Sequence, residues 1–486
     1  MGDDMKEVII GLEVHVQLNK LRSKLFCSCS TQYHDSEPDT HTCPVCLGLP
    51  GALPVTNGKA VDNAIKVALA LNCNIEEWTM FYRKNYYYPD LVKGFQISQY
   101  DYPIATNGSI SLDMEGGERI IRIKRVHMEE DPGKLVHVGT IDKSRYSLID
   151  YNRSGMALLE VVTEPDLRTP KEARLFLNKL KNILEYLDVF DSSLEGSLRV
   201  DANISLAGGA RAEIKNISSY KGVEKALLFE IVRQNNLVRR GVKVVQETRH
   251  FDEVRGITIS LRTKEGEEDY RYFPEPDLVP ITIADRVDDI KKTLPELPDA
   301  KRQRFVLQYG ISDNHAKVLI SELGLANFFE TVATEVDANL SATWVADILK
   351  GELNYRDLDI SAFSPNHMVQ ILQVLKKDTI TENGAVQVIR TILDEGGTPS
   401  EIVKIKSKDL LKMDVDASEN ITLRVIEENP GAFQDFCKGK NEAMHFLMGQ
   451  VMKETHGTVN RSTVIELLNK SKKEKLQNAP DNHREA

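Results

Sequence analysis

The 486-residue sequence has no apolar run approaching the roughly 20 residues needed to cross a bilayer, which excludes a helical membrane protein. It lacks G-x-x-x-x-G-K-[ST], lacks a G-x-G-x-x-G after a strand, and lacks kinase and G-x-S-x-G signatures. Those absences exclude a P-loop enzyme, a dinucleotide-binding Rossmann unit and the common hydrolase and protein-kinase frameworks. Residues Met1 to Lys6 hold two Asp and no apolar stretch, so no signal peptide is expected. Lys6 stands where a myristoylation motif needs Ser or Thr. A cytoplasmic location, away from membranes, is the resulting expectation. Positive charge is also scarce: 62 Lys and Arg against 73 Asp and Glu leave a net charge of −11. Such a chain carries no general nucleic-acid footprint, so any RNA contact must come from a local basic patch. The chain has only six cysteines, too few for a disulfide scaffold of this length. In a chain of this type they argue for metal or reduced thiols.

What is present is ordinary for a soluble globular protein: 41% hydrophobic and 28% charged residues, in a length that suggests about three domains. Val8 to Leu18 alternates, with Leu12, Val14, Val16 and Leu18 on one side and Glu13, His15 and Gln17 on the other. That is a strand with one polar face. Further strands are expected at Ile110–Met114, Arg119–Val126, Leu158–Thr163, Ser197–Leu206 and Thr258–Arg262, with turns at Asn107-Gly108, Glu115-Gly116-Gly117 and Gly208-Gly209. A helix is expected over about Val61–Asn72. Another begins at the capping box Thr169-Pro170-Lys171-Glu172, and its Phe176, Leu180, Ile183, Leu184 and Leu187 keep helical spacing. Two prolines in Thr293-Leu294-Pro295-Glu296-Leu297-Pro298-Asp299 mark a boundary, beyond which the pattern is helical. One helical block runs to about 405. A second follows, in which Met444, Leu447, Met448 and Val451 share a face of a helix over Ala443–Glu454. The fold class is α+β, with a mixed body followed by an all-helical region.

The most specific chemical pattern is Cys27-Ser-Cys29 followed by Cys43-Pro-Val-Cys46. Two thiolate pairs on a short loop can close a tetrahedral Zn²⁺ site with no position open for catalytic water. The alternative is four reduced thiols without metal, and His34 and His41 between the pairs are alternative ligands. Cys73 and Cys437 read as small buried hydrophobes. A second group comprises carboxylates and histidines on strands: Glu13 with His15, the run Arg125-Val-His127-Met-Glu129-Glu130-Asp131, and Glu160 inside the apolar Leu158-Leu159-Glu160-Val161-Val162. Exposed strand acids are commonly just solvated, but a carboxylate buried like Glu160 requires a partner. Several carboxylates with a histidine suit Mg²⁺. Tyr82-Arg83-Lys84-Asn85-Tyr86-Tyr87-Tyr88-Pro89-Asp90 interleaves cations with aromatics, as a nucleotide or RNA end requires, or as a half-buried strand does. From Lys438 to Lys475 there are eight Lys or Arg and four Glu. This is the best candidate for an RNA grip, against the alternative of a solvated helical face.

Ile10-Gly-Leu-Glu-Val-His-Val-Gln17, Arg83-Lys-Asn-Tyr, Tyr88-Pro-Asp90, His127-Met-Glu-Glu-Asp131, Glu195-Gly-Ser-Leu-Arg199, Asp201-Ala-Asn203 and Asp269-Tyr-Arg-Tyr-Phe-Pro-Glu-Pro-Asp277 resemble the B subunits of aspartyl/glutamyl-tRNA(Asn/Gln) amidotransferases, the GatB family, along nearly the whole chain. The resemblance implies a cradle domain related to glutamine synthetase and guanido kinases over 1–295, carrying the zinc loop 27–46. It implies a helical domain over 296–405 and a small YqeY-like, tRNA-binding tail over 406–486. It further implies ATP-dependent phosphorylation of Asp on tRNA(Asn) or Glu on tRNA(Gln), then amidation by ammonia. The ammonia would come from an amidase (glutaminase) partner, in a heterotrimer completed by a small third protein. The family's Mg²⁺ positions fall on Glu13, His15, Glu130 and Glu160. Lys84 and Arg199 are the implied phosphate partners, Asn85 and Tyr87 line the aminoacyl or nucleotide pocket, and Glu213 lines the ammonia entry. Structural zinc at Cys27, Cys29, Cys43 and Cys46 matches those members that keep the site. Two other identities compete: a tRNA-binding scaffold with catalysis elsewhere, and the related E subunit, which carries a large inserted domain that residues 270–300 leave no room for.

Overall fold

The computed structural model describes residues 7–137, 146–262, 270–405, 410, 415–455 and 458–477. The expectations placed on Met1–Lys6 and on Asp269 therefore lie outside the described residues. The chain divides into two compact units, 1–298 and 299–486.

The first unit is built on a twelve-stranded mixed sheet. Its centre is Val8–Gln17, antiparallel to Leu198–Leu206 on one side and to Ala157–Thr163 on the other. Gly117–Glu130 pairs with Ala157–Thr163, and Ala212–Ile217 with Leu198–Leu206. Among the described strands the one parallel pair is Ala212–Ile217 with Glu247–Asp252. It is joined through helix Tyr220–Arg239, as parallel neighbours require a crossover. Alternation does what the pattern of the first strand dictates: Leu12, Val14 and Val16 are buried with Leu159, Val161, Val126, Val200 and Ala202 in one core. Residues of helices Gly58–Ala70, Pro170–Tyr186 and Tyr220–Arg239 complete that core, so the three helices cover the apolar face. The opposite face is left to polar side chains.

The expected helices form for the expected local reasons. Thr169 Oγ1 accepts from Glu172 N at 3.1 Å, with Pro170 in the first turn. The Glu172 carboxylate reaches one residue further back than a capping box predicts, accepting from Arg168 N at 2.7 Å and from Arg119 at 3.0 Å. Asn57 caps the earlier helix, and Asn72, at φ 54°, lies just beyond its end. A bulge between Val162 and Thr163 shifts the register of Gly117–Glu130. It lets both Lys124 and Arg125 line the polar side, after which the alternation resumes.

All assigned elements of the second unit are helices. One hydrophobic cluster gathers Phe305, Phe329, Trp344, Phe363, Met368 and Ile389. Another gathers Val425, Phe433, Phe436, Leu447, Val451, Val464 and Leu468, with Met444 and Met448 packed against it. Helix Asn441–Glu454 thus buries the face that its sequence presents. No helix among the described residues is long and apolar enough to cross a membrane.

Candidate active site

The polar face of the central sheet is assembled by register. His15 stands opposite Glu160 on one neighbour and Arg199 on the other, and Glu160 stands opposite His127. Glu13 stands opposite Asp201, and Asn203 opposite Glu213. Side chains from five strands therefore meet on one face although their positions run from 13 to 213. They floor a cavity of about 730 Å³.

Two ligand groups lie side by side on this floor. In the first, His15, Glu129 and Glu160 bring one ligand atom each within 4.8 Å of the others. His15 Nε2 is 3.5 Å from Glu160 and 3.7 Å from Glu129, and His127 Nε2 is 2.9 Å from Glu160. Burial by itself would lower the His15 pKa, but the Glu160 and Glu129 charges outweigh it and carry the imidazole up to about 9. Burial likewise opposes ionisation of Glu160. The His127 and His15 charges overcome it and hold the carboxyl well below its ordinary range. In the second group Glu13, Asp201 and Glu213 approach equally closely. Burial and then the neighbouring carboxylates Glu160, Asp201 and Glu213 push Glu13 upward. Lys215 lies 3.6 Å from Asp201 and 3.7 Å from Glu213. Asn203 Nδ2 donates to Glu13 at 3.0 Å, while Asn203 Oδ1 and His127 Nδ1 are buried with no hydrogen-bond partner among the described residues.

Cations ring the floor: Lys84, Lys124, Arg125, Arg211 and Lys215 all line the cavity, with Tyr270 and Tyr272 at its wall. Lys84 makes no ion pair with a carboxylate among the described residues. Its Nζ sits 4.9 Å from the Tyr270 ring centre and 5.7 Å from that of Tyr86.

Sequence reasoning placed Glu13, His15, Glu160, Lys84 and Glu213 here, and the structure brings those five together. It does not bring in Glu130. Successive strand residues face opposite ways, so Glu129 shares the face of His127 and Glu130 does not. Glu130 instead accepts from Ile97 N at 2.8 Å and pairs with Lys93 at 2.5 Å. Arg199 is also outside the cavity lining. Its guanidinium is held 2.6 Å from fully buried Asp131, which also binds Gln17 at 2.9 Å. Asn85 spends its amide on the carbonyl of Arg271 at 2.8 Å, and Tyr87 is 86% exposed outside the cavity. Arg125 and Glu129 stood in the candidate run over residues 125–131 with no role assigned to them, and Asp201, Lys124, Arg211 and Lys215 were not foreseen as site residues. Glu129 had a signal in the alternation outward from His127. Asp201 stood in the Asp201-Ala-Asn203 motif, within the expected strand Ser197–Leu206. Lys124 had none, because a bulge delivers it.

The cysteine loop is a separate construction. Cys27, Cys29, Cys43 and Cys46 bring their sulfurs within 4.8 Å of one another. Cys43 and Cys46 Sγ are 3.7 Å apart, and Cys43 N donates to Cys46 Sγ at 3.0 Å. An edge of about 3.7 Å is what a tetrahedron of sulfurs about 2.3 Å from Zn²⁺ requires. The alternative ligands fall away: His41 Nε2 lies 2.9 Å from Ser36 Oγ, and His34 stacks on Tyr33. A hydrogen bond from Cys27, with the nearby Lys24 charge, outweighs burial and brings the Cys46 thiol down to about 5. Gly48, at φ 63°, turns the loop where a Cβ would strike the Lys93 side chain.

A family model described as the GatB/GatE catalytic domain matches residues 8–289, and one described as the GatB domain matches residues 327–471. The chain belongs to the GatB family. Its relatives include the B subunit of the aspartyl/glutamyl-tRNA(Asn/Gln) amidotransferase of Methanococcoides burtonii, 60% identical over 461 residues that cover 95% of this chain and 97% of that one. The B subunit of Methanosarcina barkeri is 57% identical, covering 96% and 98%. That of Halobacterium salinarum is 49% identical, covering 95% and 96%. These relatives are B subunits matched along nearly the whole chain, which favours that identity over the E subunit.

Proposed function

We propose that the cavity of the first unit phosphorylates the side-chain carboxylate of Asp on tRNA(Asn) or Glu on tRNA(Gln) with ATP and then amidates it. A substrate carboxylate oxygen attacks the γ-phosphorus of ATP, the bond to the β-phosphate oxygen breaks, and ADP leaves. Ammonia then attacks the acyl carbon, the carbon–oxygen bond to phosphate breaks, and the nitrogen sheds a proton. The carrying observation is that two ligand groups share one floor beneath a ring of cations, which is what phosphoryl transfer to an anionic acceptor demands. Glu13, Asp201 and Glu213 form an all-oxygen set that suits Mg²⁺, and His15, Glu129 and Glu160 form a mixed set beside it. Bound there, divalent cations would neutralise the phosphates and the substrate carboxylate. Lys84, Lys124, Arg125 and Arg211 are placed to hold phosphate oxygens. Glu213 is better employed as a ligand than as lining of an ammonia entry.

The rest of the reading follows the family. The first unit serves as the glutamine synthetase-like cradle, with Zn²⁺ stapling its cysteine loop. An amidase partner supplies ammonia, and a small third protein completes the heterotrimer. The region over 296–405 is the helical domain and 406–486 the tRNA-binding tail. The tail's positive charge is only partly available. Lys470 pairs with Glu419 at 2.7 Å and Lys440 with Asp435 at 3.0 Å, while Lys472 and Lys475 lie over Phe436 and Phe433. The deciding experiment measures ATP cleavage, amide formation and tRNA binding side by side in the reconstituted complex with mischarged tRNA. Collapse of the first two in Glu160→Gln with binding retained supports the enzyme. ATP cleavage at the unmodified rate leaves the chain a tRNA-binding scaffold.

A further inference from the structure

Lys24 is fully buried in the first unit, at 0% exposure. A buried ammonium ordinarily sits beside a carboxylate, because an isolated charge is costly to remove from water. Lys24 has none among the described residues. Its Nζ donates to the His41 carbonyl at 2.7 Å and lies 3.8 Å from Cys46 Sγ. The surroundings hold it there. Lys24 N donates to Cys29 O at 3.0 Å, and His41 N donates to Asn152 Oδ1 at 2.7 Å, fixing the carbonyl that receives the ammonium. Gly155 closes the other side, where a Cβ would meet Cys46 Cβ and Lys24 Cδ.

Among the described residues, the groups positioned to balance this charge are sulfurs. Four neutral thiols would not balance it. Four thiolates around a divalent cation carry two negative charges in excess and would. We infer that the Lys24 ammonium is the charge partner of a metal–thiolate cluster on Cys27, Cys29, Cys43 and Cys46, donating an N–H···S hydrogen bond to Cys46. This rests on the zinc reading above and extends it. A lysine outside the cysteine pattern thus strengthens the knuckle's hold on metal, and the metal in turn stabilises the buried ammonium by gathering four thiolates beside it. The coupling is reciprocal, as any linkage between two sites must be.

The test uses the full-length chain. Zinc content is measured by elemental analysis and zinc affinity by competition with a chromogenic chelator, for the natural sequence and for Lys24→Met, which keeps the length of the stem and removes the charge. Lys24→Met is expected to bind zinc about tenfold to a hundredfold more weakly, the usual cost of losing an outer-shell partner. Stripping the metal should also lower the melting temperature of the natural protein by more than it lowers that of Lys24→Met, since only the former has a buried ammonium that loses part of its balancing charge. Affinities within twofold of each other overturn the inference while leaving the zinc reading intact. Absence of metal from the natural protein overturns both. Should Lys24→Met fail to fold, the natural protein loaded with ¹¹³Cd decides. A through-bond correlation between cadmium and the Lys24 ammonium protons is expected, and its absence with those protons otherwise visible refutes the N–H···S bond.

Discussion

The polar floor of the sheet and the cysteine knuckle are both clusters of metal-ligating groups in the first unit, yet they are built on opposite plans. The knuckle draws four identical ligands from positions 27 to 46, enough to fill a tetrahedron. The floor draws unlike ligands from five strands spread over two hundred positions and leaves them facing a cavity of about 730 Å³. Saturation suits a staple and openness suits chemistry, which is the distinction between structural and catalytic metal sites. Their counter-charges differ in the same sense. The knuckle is served by one lysine with no exposure, while the floor is ringed by cations that line open space.

The sharpest way to break this comparison is Glu160→Gln. The carboxylate pairs with both His15 and His127, and its loss removes charge where the reacting phosphate would develop it. ATP cleavage in the reconstituted complex is expected to fall on the order of a hundredfold or more, comparable to losing a preorganised electrostatic donor. A rate within threefold of the unaltered complex would demote the floor to a solvated strand face.

Next comes the pair Glu129 and Glu130, neighbours in sequence on opposite faces of one strand. Glu129→Gln is expected to cost at least about tenfold in ATP cleavage, as loss of a metal-site residue does. Glu130→Gln should spare the chemistry to within a few-fold and show instead as a lower melting temperature, because it weakens the Lys93 pair and the Ile97 bond. The reverse ranking in side-by-side kinetics would put the ligand set on the wrong face of the sheet.

Cys43→Ala should do the opposite of Glu160→Gln. Elemental analysis is expected to find about one Zn²⁺ per chain in the natural protein and almost none in the variant. Thermal stability should drop, while ATP cleavage per folded complex changes little. A loss of catalysis as deep as that of Glu160→Gln, with stability unchanged, would mean that the knuckle is no mere staple. The smallest effect is expected for Tyr87→Ala. Its ring is exposed outside the cavity, and surface changes of this kind stay within roughly 0.5 kcal/mol. A substantial rise in the KM for ATP would restore it to the nucleotide pocket.

Much of this was legible without coordinates. The four cysteines are close in sequence, so their spacing alone forces proximity. Period-two alternation in Val8–Leu18 placed Glu13 and His15 together on the face away from the core, and it needs no partner strand to do so. The start of helix Pro170–Tyr186 and the buried face of Asn441–Glu454 followed from local capping and spacing. What alternation within one strand cannot supply is the register between strands, which depends on distant pairings. Register set His15 against Glu160 and Glu13 against Asp201. A bulge brought Lys124 into the cavity, and a side-chain contact with buried Asp131 holds Arg199 out of it. A sequence can state which face of a strand is polar. Only the packed sheet decides which polar residues from remote strands share a few ångströms, because that choice is made by hydrogen-bond pairing and core burial summed over the whole unit.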